Sequence, residues 1–123
     1  MNGSVIAALR TYISQKHGSV RSHAAAKEIE DLESNLKTVL PDEVRLLYLE
    51  SNGTDYDEDV QRFLPLDEIF VDDEGVVIIF ERSIFAETWG FRKTENRSNS
   101  AIFSSGLLEV ADSLEDFLRI LSV

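Results

Sequence analysis

Residues 40–53 read LPDEVRLLYLESNG, and this one stretch records both ends of a helix together with the face it buries. Pro41 suits a helix start, because a first-turn residue has no intrahelical partner for its N–H and its fixed φ is already helical. Asp42 and Glu43 then set negative charge beside the positive end of the helix dipole. Val44, Leu47 and Tyr48 recur at i, i+3, i+4, with Leu40 one turn earlier, so a single apolar stripe faces inward. Asn52 and Gly53 both tolerate left-handed backbone, and the sequence predicts that they stop the helix.

Working outward, the same logic predicts helices over Val5–Lys16, with Ile6, Leu9 and Ile13 inward and Gly18 as its stop, and over His23–Leu36, with Ile29, Leu32 and Leu36 inward. Downstream lie an acidic loop, Thr54–Asp59, a short strand or turn through Phe63 and Leu64, and one helical turn over Leu66–Ile69. Val76–Phe80 (VVIIF) is apolar at every position after an Asp73-Glu74-Gly75 turn. A β-branched run of that kind is a strand covered on both faces, so it belongs at the centre of a sheet. Ile84–Phe91 reads as a second strand, Lys93–Asn99 as a loop and Ala101–Phe103 as a short third strand. Ser113 caps a last helix with Leu114, Phe117, Leu118 and Leu121 on one stripe. Helices at both ends of a strand-rich centre predict an α+β fold, one domain over residues 1–123, with helices packed on one face of a mainly antiparallel sheet.

Charge is unevenly placed along the chain. Its formal total is 12 − 23 = −11. Residues 1–27 contribute +4 from Arg10, Lys16, Arg21 and Lys27, residues 28–74 contribute −13, and the remainder −2. A negative block of that size repels nucleic acid, whose binding depends on neutralising phosphates. It speeds encounter with a basic protein instead. With no cysteine, the chain has no disulfide, zinc–thiolate site or cysteine nucleophile. The opening MNGSVIAALR lacks a basic n-region and a long apolar run, and no stretch approaches the roughly 18 apolar residues of a membrane span. A cytoplasmic monomer that contacts no membrane is the resulting expectation.

Motifs for catalysis are missing. His17 and His23 flank a Gly-Ser turn and cannot share a helical face as metal-ligating pairs do. No nucleophile elbow or glycine-rich phosphate loop is present. Asp55-x-Asp57-x-Asp59 begins like a calcium loop, but Val60 stands where glycine is required and Leu66 where a bidentate carboxylate belongs. The expectation is a non-enzymatic protein without cofactor or metal. Among many carboxylates, Glu81 and Glu87 stand out because they lie in or beside apolar strands. Strand alternation puts Glu87 on the face of Phe85, Trp89 and Phe91. Either that face is core, with Glu87 tolerated at an edge, or it is partly open and forms a recognition surface.

Taken together, several pieces resemble the SUKH superfamily, which joins bacterial immunity proteins with a fungal cell-wall regulator. They are the acidic helix over Ala25–Leu36, Leu40-Pro41, the aromatic Tyr48, Asn52-Gly53, Pro65-Leu66-Asp67-Glu68-Ile69, Trp89 in the strands, and Ser113-Leu114-Glu115-Asp116-Phe117-Leu118. The likeness covers roughly residues 25–121 and leaves the N-terminal helix, within residues 1–24, outside it. It implies a non-enzymatic immunity protein that neutralises a cognate toxin, a basic nuclease for choice, by direct binding. The alternative it implies is a regulatory or scaffold module that binds a host protein. On this analogy Asp55, Asp57, Glu58 and Asp59 steer the partner, and Glu87 and Trp89 contact it.

Overall fold

In the computed structural model, which describes residues 2–98, 100–104 and 108–122, the order of elements is α1 (Asn2–Lys16), α2 (Ala26–Leu36), α3 (Asp42–Glu50), β1 (Gln61–Phe63), a 3-10 turn (Leu66–Glu68), β2 (Phe70–Val71), β3 (Val76–Arg82), β4 (Glu87–Arg92), β5 (Ile102–Ser104), β6 (Leu108–Ala111) and α4 (Leu114–Leu121). The sheet runs β1-β3-β4-β5-β6 with every pairing antiparallel, and β2 also pairs with β3. This is the α+β arrangement expected. Asn99, the end of the predicted polar loop, lies outside the described residues.

Strand β3 is central, and Val76 to Phe80 are all fully buried. Its Phe80 meets Phe63 of β1 at 4.7 Å, Trp89 of β4 at 5.6 Å and Phe117 of α4 at 5.3 Å between ring centroids, and Tyr12 of α1 closes the cluster. The helices therefore seat on one face of the sheet through an aromatic layer. Alternation along β1 and β3 sends the next pair, Arg62 and Glu81, to the face away from the helices. Ile79 is the extra residue of a β-bulge opposite Gly90 and Trp89. A Cβ on Gly90 would lie 1.8 Å from the Val77 carbonyl oxygen, so the strands meet there only because the side chain is absent.

The 40–53 stretch folds as predicted in its body, with Val44, Leu47 and Tyr48 buried, but not at its end. Pro41 is the residue before the first turn, and the helix stops at Ser51 in extended backbone. Asn52 and Gly53 serve another purpose. The Asn52 side-chain oxygen accepts from the Leu66 N–H at 2.8 Å, the Tyr48 hydroxyl donates to the Leu64 carbonyl at 2.5 Å, and Gly53, at φ +85, passes so close to Phe63 and Pro65 that a Cβ would meet their backbones. The aromatic, Asn-Gly and Leu-Pro-Leu pieces of the sequence are thus one junction in space.

Other boundaries differ for similar reasons. Helix α2 begins at Ala26 rather than His23, because the Ala24 N–H bonds the Tyr48 carbonyl at 2.9 Å and holds that backbone extended. Its start is stabilised by Glu28, whose carboxylate accepts from the Ala25 N–H at 2.9 Å. The left-handed residue ending α1 is His17, one before the expected Gly18. The second strand starts at Glu87, not Ile84, because Ser83, Ile84 and Phe85 all lie in left-handed backbone and form a turn. Strand β6 and the two-residue β2 were not foreseen.

Candidate functional site

The acidic loop after Gly53 does not fan its carboxylates into solvent. Asp55 accepts from the Ser19 hydroxyl at 2.9 Å and from Arg21 at 3.1 Å, which together hold its carboxyl below the usual range. Glu58 lies 3.0 Å from His17 Nδ1 and Asp59 3.1 Å from Lys16 Nζ. The positive N-terminal segment and the negative block, separate in sequence, are therefore zipped together along one seam. Asp55, Glu58 and Asp59 nevertheless remain substantially exposed.

Asp57 is different, being only 8% exposed. It accepts from the Tyr12 hydroxyl at 2.5 Å and from the backbone N–H groups of Asp59 at 2.8 Å and Gln61 at 3.3 Å. Burial, and next the Asp57 carboxylate, raise the Tyr12 phenol well above its ordinary value, so it stays a donor. Asp57 thus ties the loop to α1. The three aspartates turn to three different partners, and among the described residues no three histidine or carboxylate side chains converge as a metal site.

Glu87 and Trp89 come to the same side of the molecule as Asp59. The Arg82 guanidinium links them: it bonds Gln61 Oε1 at 3.4 Å and Glu87 Oε1 at 3.3 Å, and it stacks 5.5 Å from the centroid of Trp89. Below it Trp89 packs on Phe80 and Phe117. Lys16, Asp59, Gln61, Arg82, Ile120 and Leu121 line a groove of about 430 Å³ at this open end of the helix–sheet interface. Trp89 and Phe91 are core-facing, and Glu87 sits exposed at the strand end, as the first of the two sequence alternatives has it. Phe85 is the exception. Its place in the left-handed turn carries it to the opposite face of the sheet.

On that opposite face stands a group the sequence did not assemble. Glu81 is fully buried and accepts from the Tyr56 hydroxyl, from Arg62 Nε at 2.9 Å and from the Phe85 N–H at 2.9 Å. Arg62, also buried, reaches Glu68 with both terminal nitrogens, at 2.9 and 3.4 Å. Its guanidinium lies 4.9 Å from the Tyr56 ring centroid and 5.8 Å from that of Phe85. The Glu68 hydrogen bonds hold Arg62 protonated, and Arg62 in turn holds the Glu68 carboxyl below its ordinary value. A charged residue in each of two adjacent buried strands was the available signal. Glu81 stands out in the sequence only as a carboxylate beside an apolar strand, and Arg62 enters there only through the net charge.

The carboxylates of this arrangement are held by hydroxyl, guanidinium and backbone partners that fix shape and charge. A family model described as SMI1 / KNR4 family (SUKH-1) matches residues 23–120. Among curated proteins none matches the chain.

Proposed function

The chain belongs to the SMI1 / KNR4 family (SUKH-1), and from that premise we propose that it is a non-enzymatic, cytoplasmic, monomeric immunity protein that neutralises a basic toxin domain by binding it directly. The observation that carries this reading is the concentration of negative charge, −13 over residues 28–74, with exposed carboxylates along the loop Asp55–Asp59. Such a surface attracts a protein whose cationic cleft is built to hold phosphates, and it repels nucleic acid itself. Asp55, Glu58 and Asp59 steer the partner, Asp57 sets the shape of the loop that carries them, and Glu87 and Trp89 flank the groove where contact is made. No cofactor or metal enters this reading.

A regulatory or scaffold role toward a host protein, which the resemblance to the fungal cell-wall regulator implies, is the second reading. The two are separated by co-expression with a candidate basic toxin domain, the first to try being any encoded next to this gene. Rescue of growth and a stoichiometric complex are expected for the immunity protein. Unrelieved toxicity, with no complex formed by the purified pair, sinks the immunity reading and favours the regulatory one.

A further inference from the structure

The sheet face away from the helices carries a concentration of exposed apolar side chains. Of nine large hydrophobic residues exposed among the described residues, five gather here: Tyr56, Val60, Phe70, Ile84 and Phe85. Ile84 is 72% exposed. Phe85 lies 6.2 Å from Phe70 between centroids and stacks on the Arg62 that Tyr56 also covers, and the Ser83 N–H bonds the Val60 carbonyl at 2.8 Å. They therefore form one continuous surface. The buried Arg62–Glu81 pair and the Phe85 N–H bond to Glu81 hold it in place from beneath, so a ligand would meet it already ordered.

Charge decides what such a surface accepts. Residues 54–75 hold nine acidic side chains and one basic one, Arg62, and Glu68, 43% exposed in its side chain, stands beside the aromatic rings. A second copy of this chain, bearing −11, is repelled, and so is an anionic membrane or nucleic acid. We infer that this face receives a basic, apolar-anchored segment of a protein partner, with an aliphatic or aromatic side chain seated on Phe70, Ile84 and Phe85 and an adjacent arginine or lysine held by Glu68. The inference rests on the reading that the partner is a basic protein. It adds the place where binding energy, as distinct from steering, is made.

The test uses the full chain, amide-resolved NMR and three short synthetic peptides: one of arginine and leucine, one with serine in place of leucine, and one with glutamine in place of arginine. The arginine–leucine peptide is expected to shift the amides of Phe70, Ile84 and Phe85, and to bind about tenfold more weakly to Ile84→Asn and to Phe70→Ser. Asparagine suits the left-handed backbone at position 84, and thermal melts of both variants establish that they fold. If the arginine–serine peptide binds equally well, with shifts spread along the acidic loop, the apolar site is overturned while the basic-partner reading stands. If the glutamine–leucine peptide binds as well as the arginine–leucine one, the basic-partner reading fails with it. Absence of any shift at the three amides overturns the site outright.

Discussion

Arg62 and Glu81 show how much can hang on one side chain. Removing a single member of a buried ion pair leaves the other charge without compensation, which costs about 3–5 kcal/mol, whereas replacing both by apolar groups is often nearly neutral. Urea unfolding of Arg62→Met is therefore expected to show a loss of that size, and the double variant Arg62→Met/Glu81→Leu to regain much of it. If the single and double variants are equally unstable, the pair is not what sets the cost. Gly90 makes a harder case, because an added methyl would overlap the Val77 carbonyl oxygen and neither backbone can yield without opening the ladder. Gly90→Ala should lose more than about 3 kcal/mol, measured by the same unfolding curves. The need for Gly90 was not legible in the sequence: a glycine in a strand is ordinary, and what forbids a side chain there exists only when the neighbouring strand arrives.

At the scale of elements, the ends of α4 and α2 are secured from elsewhere in the chain. The Ser113 hydroxyl accepts from the Asp116 N–H at 3.1 Å, and Glu43 of α3 accepts from the Leu114 N–H at 2.9 Å and the Ser100 hydroxyl at 2.8 Å. The first contact was legible in the sequence as a cap; the second was not, since it joins residues 71 positions apart. Ser113→Ala should lower stability by about 1 kcal/mol, and Glu43→Ala by roughly 1.5–3 kcal/mol, read from thermal melts. Glu33 of α2 accepts from the Leu40 N–H and Arg97 Nη1, each at 2.7 Å. Burial alone would raise its carboxyl, but the Arg97 and Leu40 hydrogen bonds outweigh it and hold it below the ordinary value. A depressed folded pKa means stability that is complete above the unfolded value near 4.5 and is lost as pH falls through the folded one. Asp55 and Glu68 act in the same direction. Glu33→Gln should thus be less stable than the natural chain at neutral pH and show a flatter decline in acid. An unchanged slope below about pH 4.5 would show that Glu33 is not a contributor. Helix bodies and the buried strand β3 were readable because period and burial are local. The misread start of β4 was not, because nothing local in Ser83-Ile84-Phe85 announces left-handed backbone; Glu81, four residues back, holds it through the Phe85 N–H.

The whole molecule is organised by charge as much as by its core. The sequence revealed a positive beginning and a negative middle, but not that they are apposed, because side chains 36 and 34 positions apart, at Ser19–Asp55 and Arg21–Asp55, meet only when α1 packs on the sheet. For the same reason the candidate site was legible in part. Asp59, Glu87 and Trp89 are linked through Arg82, whose place between them only the fold reveals, while the Phe85 surface was hidden by the wrong strand boundary. Reversing Asp55 and Asp59 to lysine should slow association with a basic toxin domain about tenfold at low salt, with the difference shrinking as ionic strength rises; stopped-flow rates that do not change would place the encounter elsewhere. The seam of Lys16 and Arg21 against Asp59 and Asp55 has one more effect. These tethered cations act as built-in competitors, present at an effective concentration that loose solutes seldom match. Polyamines and stray basic proteins are held off by occupants already in their seats, and only a visitor with additional contacts to offer can evict them.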